Sequence, residues 1–262
     1  MRTGTRREFS EFRELVAVRR ALGVFSVEGV ENALHEPAMS VSESSATGAA
    51  LRRSPYAEAP RLPPGEGLGA LEILGPSAQQ RALELEIGPG RGGFIIERLA
   101  ADPAVCIVGL EIRLKWASLL DERVRGLGLG ARARVFAEDI RIALPRFAVG
   151  SLSKIFIHFP DPWWKKRHAK RRLAQADVMA HLVRVLAPGG ELFVQTDVWD
   201  TAQAYREAIE LCAELEPHGD APGSPLLAEN PYGARSPRER RVMADGMPVT
   251  RVRYRRRPGV VA

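Results

Sequence analysis

The 262 residues carry 38 Lys and Arg against 32 Asp and Glu, a formal net charge of +6, and 45% of them are hydrophobic. That is enough apolar material for one large core. No stretch approaches the roughly 18 apolar residues that span a membrane, the basic N-terminus lacks the apolar core of a signal peptide, and Cys106 and Cys212 have no metal-ligand spacing. A cytoplasmic protein with reduced, structural cysteines and no metal is therefore expected. The cationic excess is gathered: six Arg fall in residues 1–20, six Lys/Arg in 165–172 and nine Arg in 235–257. One such run is ordinarily a solvated face. Three of them flanking one candidate site favour a polyanionic partner, most simply nucleic acid.

In chain order, residues 8–22 space Phe9, Phe12, Leu15 and Val16 as a short amphipathic helix. Residues 36–54 are small, polar and without period, as in a disordered linker. Met39 offers an alternative start, which would leave residues 1–38 outside the natural protein. The chain thus divides into an extension over 1–54, a Pro/Gly-rich loop over 55–80, a folded domain over 81–257 and a tail over 258–262. From Arg81 strands and helices alternate, the mark of an α/β doubly wound sheet. Strands are expected at Ala82 to Ile87, Val105 to Glu111, Ala133 to Ala137, Ile155 to Phe159, Glu191 to Thr196 and Val249 to Arg255. Helices are expected at about 92–101, 113–126, 172–187 and 199–216, with Pro188-Gly189-Gly190 stopping the helix over 172–187 and starting the next strand.

Glu86-Ile87-Gly88-Pro89-Gly90-Arg91-Gly92 follows the first strand and opens the first helix. Its glycines, Gly88 and Gly90 among them, permit a tight turn and let the backbone and the helix N–H groups approach a ligand. Packing alone would also explain such a turn. Glu111 ends the second strand about twenty residues on, where a carboxylate can accept from both hydroxyls of a ribose; a surface acid ahead of a helix is its other reading. Asp139, after the third strand, either sits near an adenine edge or caps the following helix. The fourth strand runs into Phe159-Pro160-Asp161-Pro162-Trp163-Trp164 and then the cationic run. Asp161 is there either a turn former between prolines or a group that works on a base. The indoles read as core for Trp163 and as core or base-stacking for Trp164.

Taken together, ELEIGPGRGGF, VGLEIR, AEDI and FPDPWWKKRHAKRR resemble the bacterial tRNA (guanine-N7)-methyltransferase family, over about residues 80–257. The resemblance implies a Rossmann-like class I methyltransferase sheet of seven strands with helices on both faces, S-adenosylmethionine as cofactor and tRNA as partner, methylated at a guanine N7 in its variable loop. It implies cofactor contacts at Glu86, Gly88, Gly90, Glu111 and Asp139, and Asp161 as the catalytic residue. It further implies substrate contacts at Lys165, Asp197 and Thr250, and RNA contacts at Arg167, His168, Lys170, Arg171 and Arg172. His168 reads as a polar contact, because guanine N7 bears no proton for a base to remove. Asp197 has a helix cap as its alternative.

One departure stands out. The family's final strand is expected to carry Thr-Lys-Phe-Glu or a close variant, and this chain has Thr250-Arg251-Val252-Arg253. Arg253 in place of the acid would meet phosphate or the base acceptors O6 and N7 instead. The Arg-rich segment 230–248 is expected to form a lid or arm on the RNA. Two rivals remain: a methyltransferase on another RNA or on protein, and a non-catalytic RNA-binding protein that keeps the fold.

Overall fold

The computed structural model describes residues 56–161 and 173–259. The chain forms two compact units, Met1–Ala59 and Pro60–Ala262. Of the first, the described residues make a turn in which the Ala59 N–H donates to the Tyr56 carbonyl at 3.1 Å. All that follows concerns the second. The helix expected over 8–22, the linker over 36–54, both indoles of the Trp163-Trp164 pair and the basic run 165–172 lie outside the described residues.

Seven strands form one sheet: β1 (Ala82–Ile87), β2 (Val105–Leu110), β3 (Ala133–Phe136), β4 (Leu152–His158), β5 (Leu186–Thr196), β6 (Leu215–Pro217) and β7 (Thr250–Arg256). Their spatial order is β3-β2-β1-β4-β5-β7-β6. β1 to β5 are mutually parallel, and β7 runs antiparallel between β5 and β6. The helices are α1 (Ala70–Leu74), α2 (Gly93–Ala101), α3 (Leu114–Gly126), α4 (Ile140–Ala143), α5 (Ala176–Val185), α6 (Trp199–Glu210) and α7 (Pro237–Ala244). The α/β sheet expected from the alternation of patterns is thus present, with seven strands as the resemblance implied.

Parallel strands buried on both sides read as apolar runs, and β2, VCIVGL, is buried at every position. β1 is different. Its alternate residues Leu83, Leu85 and Ile87 join a core with α5 and α6, through Val178, Leu182, Tyr205 and Ile209. Glu84 and Glu86 point to the other side, yet they are buried as well. Because side chains alternate across a strand, this second face continues through Phe156 and His158 of β4, Phe193 and Gln195 of β5, and Arg251 and Arg253 of β7. It is covered by α2, whose Phe94 ring lies 4.8 Å from that of Phe156, and by α7, whose Glu239 bonds Gln195.

Three expectations are corrected here. Pro188-Gly189-Gly190 does not stop a helix: α5 ends at Val185, and β5 already starts at Leu186. The pairing jumps from Leu152↔Leu186 to Lys154↔Glu191, so the Pro-Gly-Gly residues form a bulge within the strand. The helix expected to reach 216 ends at Glu210, because Leu215 to Pro217 pair with β7 as an edge strand. Within the segment 230–248, α7 lies on the sheet, with Glu239 and Val242 buried, rather than extending outward as an arm.

Candidate functional site at the carboxyl edge of the sheet

In an open α/β sheet, ligands bind outside the carboxyl ends of the parallel strands. Every acid singled out in the sequence stands there. Glu86 is the penultimate residue of β1, Glu111 follows β2 directly, Asp139 and Asp161 come three residues after β3 and β4, and Asp197 follows β5. Thr250, the first residue of antiparallel β7, pairs with Thr196 at the same edge.

The glycine turn is shaped for close approach. Gly88 and Gly90 have φ of 70° and 55°, and a Cβ built on either would meet nothing within 4 Å. The turn therefore has left-handed backbone that only glycine adopts easily, with open space on the side where side chains would stand. Glu111 is 2% exposed, which disposes of the surface-acid reading. Its Oε2 accepts from the Gly90 N–H at 3.2 Å, and its Oε1 from the Arg113 N–H at 3.0 Å and the Arg113 Nε at 3.2 Å. A carboxylate has about four acceptor positions, so it can hold the turn and still accept from a ligand. Beside it, Glu86 Oε1 and His158 Nδ1 lie 2.8 Å apart, with the imidazole N–H as donor. Glu86 Oε2 and His158 Nε2 are both buried, and neither has a hydrogen-bond partner among the described residues. Buried polar atoms rarely go unsatisfied, so these two suit a polar ligand resting on the glycine turn. Asp139 caps α4, its Oδ1 accepting from the Arg141 N–H at 2.9 Å. The capping reading is thus realised, and 28% of the side chain remains exposed.

At the ends of β4 and β5, Asp161 is exposed and follows Phe159-Pro160. Phe159 has φ of +47°, the one positive value at a non-glycine among the described residues. Its N–H donates to the Gln195 carbonyl at 2.8 Å, which ties the Asp161 turn to β5. Asp197 does not cap α6, whose N-cap is Val198 without a side-chain bond. Its carboxylate, 7% exposed, instead receives Arg238 Nη2 at 2.6 Å. Arg253 stands apart from this group. It pairs with Phe193, three residues back from the edge, and its Nε donates to the His218 carbonyl at 2.6 Å while Nη1 lies 3.6 Å from Glu191. Its guanidinium is committed to the sheet, and the charge reversal it was read as making lies away from the acids. Lys165, Arg167, His168, Lys170, Arg171 and Arg172 lie outside the described residues.

A hydroxyl residue followed three positions later by an acid, the pattern sought on the last strand, occurs at Ser236-Pro237-Arg238-Glu239. Ser236 Oγ accepts from the Glu239 N–H at 3.1 Å, and Pro237 takes the first helical position. Glu239, wholly buried, accepts from Gln195 Nε2 at 3.0 Å and from Arg251 Nη2 at 3.1 Å. Sequence reading passed over it, although Ser-x-x-Glu with Pro at the first turn is a helix-start signal in its own right.

Comparison with known proteins places this edge in context. The family model described as "Putative methyltransferase" matches residues 80–251. A Myxococcus xanthus protein named tRNA (guanine-N(7)-)-methyltransferase is 40% identical over 172 residues, 65% of this chain and 82% of that protein. The chain belongs to the tRNA (guanine-N(7)-)-methyltransferase family. Proteins of the same name from Anaeromyxobacter dehalogenans and a Synechococcus strain are 45% and 35% identical, over 65% and 67% of this chain and 84% and 72% of theirs. Among solved structures, the 16S rRNA methyltransferase KamB has a TM-score of 0.49 and 13% identity, over 70% of this chain and 91% of that one. The region matched by the family model includes the methyltransferase's glycine turn, its strand-end acids and α7. Among its described residues, no helix is long and apolar enough to cross a membrane.

Proposed function

We propose that this protein transfers a methyl group from S-adenosylmethionine to N7 of a guanine in the variable loop of tRNA, in the cytoplasm. The observation that carries the reading is the shared edge: glycine turn, Glu111, Asp161 and Asp197 all stand at the carboxyl ends of the parallel strands of one sheet, in a chain that belongs to this family. Gly88, Gly90, Glu86, Glu111 and Asp139 would hold the cofactor. When bound, S-adenosylmethionine supplies a methyl group on a positively charged sulfonium, and a neutral thioether is left as the S–C bond breaks and the N7–C bond forms.

Guanine N7 presents an in-plane lone pair and no proton, so no residue here has to act as a base. What the chain must supply is position and charge. Asp161 and Asp197 can accept from the N–H groups on the guanine edge and so set the line of attack. Their carboxylates also stabilise the positive charge that appears on the purine. Holding the two reacting atoms about 3 to 3.5 Å apart and in line can lower the barrier by roughly 7 kcal/mol or more. Thr250, at the same edge, is a further candidate for the nucleotide. The run from Lys165 to Arg172 would grip phosphate, which positions the RNA and carries no base specificity.

The test is incubation of the purified protein with methyl-labelled cofactor and unmodified tRNA, followed by nucleoside analysis. Labelled 7-methylguanosine is the expected product. Binding of tRNA with no methylated nucleoside would overturn the enzyme reading in favour of an RNA-binding protein, and label in another nucleoside or in protein would overturn the choice of acceptor.

A further inference from the structure

The first turn of α7 is pinned on both sides of one residue. On one side, Pro237 is pressed against Gly93, the first residue of α2, where a Cβ would lie 2.8 Å from Pro237 Cδ. On the other, Glu239 is wholly buried between Gln195 and Arg251. The residue between them, Arg238, has a side chain 57% exposed that nevertheless makes two specific contacts. Its Nη2 donates to Asp197 Oδ2 at 2.6 Å, and its Cζ lies 5.7 Å from the centroid of the Phe159 ring. Phe159 is the residue with φ of +47°, and Asp161 follows two positions later.

A non-glycine in the left-handed region persists only where its surroundings hold it. Around Phe159 those surroundings are the bond from its N–H to the Gln195 carbonyl and the guanidinium over its ring. A planar guanidinium can stack on an aromatic face while its edge donates to a carboxylate, which an ammonium cannot do. An exposed ion pair adds little stability, so the worth of Arg238 lies in what it aligns. We infer that Arg238 is a positioning residue for methyl transfer: by holding the Asp197 carboxylate and the Phe159 ring at once, it fixes the turn that carries Asp161 relative to Asp197. The inference rests on the methyltransferase reading above and deepens it, since Arg238 acts through two acids of that site.

The test uses the full chain and three variants, Arg238→Ala, Arg238→Lys and Phe159→Leu, with the Arg238→Ala/Phe159→Leu double variant. Single-turnover methylation rate, tRNA affinity at several salt concentrations and binding of S-adenosylhomocysteine are measured for each. A misplacement of about 1 Å at a reacting centre can cost on the order of 100-fold, so Arg238→Ala should lose roughly 10- to 100-fold in rate. Its affinity for tRNA and for S-adenosylhomocysteine should stay within about 2-fold, which also reports a folded protein. Arg238→Lys, keeping the charge without the plane, should recover only part of the loss. The double variant should be no worse than the poorer single one, because both break the same contact. A tRNA affinity that falls while the rate at saturation holds, with a salt slope reduced by about one, would mean that Arg238 contacts phosphate directly and would overturn the inference. So would full activity in Arg238→Lys, or losses that multiply in the double variant. Absence of 7-methylguanosine from the unaltered protein would instead sink the reading beneath it.

Discussion

The two faces of this sheet are built on opposite principles. One is an apolar core in which Leu83, Leu85, Ile155, Ile157, Leu192 and Val194 meet α5 and α6. The other buries charge: Glu84 receives Arg98 at 2.7 Å and Lys154 at 3.3 Å, Glu86 meets His158, and Glu239 meets Arg251. Buried ion pairs are weak evidence of stability, since desolvation offsets most of their attraction. The difference teaches where the fold can yield. The apolar face holds the strands together by non-directional burial, whereas the polar face fixes directions, and residues of that face reach the edge where Glu86, His158 and Gln195 support the site.

This contrast can be broken from either side. The largest effect is expected from Glu239→Ala, which strands the Arg251 guanidinium and the Gln195 amide: a loss of about 3–5 kcal/mol in denaturant unfolding. Replacing Glu239 and Arg251 together by Leu should restore much of that stability while leaving methylation impaired, and restored methylation would show that the pair only fills space. Leu85→Ala on the apolar face should cost about 2–5 kcal/mol, with the folded fraction methylating at the normal rate. Asp161→Ala, exposed at the edge, should leave the unfolding midpoint unchanged and lower the turnover number by about 100- to 1000-fold, taking the loss of one preorganised electrostatic group as the guide.

The smallest effect concerns pH. Burial, and then the nearby Arg253 and Arg255, outweigh Glu191 and Glu216 and hold the His218 pKa below its ordinary value. The folded protein therefore binds the proton less readily than the unfolded chain. The stability that follows is present above the unfolded value of about 6.5, and it is lost as pH falls from there toward the depressed folded value. Unfolding midpoints at a neutral pH and at about pH 5 should thus lie closer together in His218→Asn than in the unaltered protein; an unchanged difference would contradict this.

Much of this was legible in the residues. β1, α2 and α3 fall within one residue of their expected bounds because apolar runs and glycines mark them from within. The strand-end acids were found because a turn, a carboxylate and the next strand keep a regular spacing in a doubly wound sheet. What escaped was structure specified from a distance. α7 reads PRERRVMA, with no apolar stripe; it is held by contacts to distant residues, among them Glu239 to Gln195 and Arg251, 44 and 12 residues away, and Arg240 to Glu97, 143 residues away. β6 is three residues long and exists as a strand through its pairing with β7. Arg253 was misjudged because a strand's sequence gives alternation but not how far along the neighbouring strand each residue lies. That depth came only with the register Phe193↔Arg253.

The place of β7 has a bearing on how the protein comes to be folded. β6 is made some thirty residues earlier than β7 yet has no other neighbour in the sheet, and β5 gains its second partner only through β7. On the ribosome, β1 to β5 can assemble while synthesis proceeds, but the edge of β5 must wait open, as an unpaired strand prone to intermolecular pairing. Glu239 waits as well, uncompensated until Arg251 arrives. Closure of the sheet and completion of the ion pair thus coincide in one late event, so a nascent chain stalled before residue 250 should be captured by chaperones where the finished one is not.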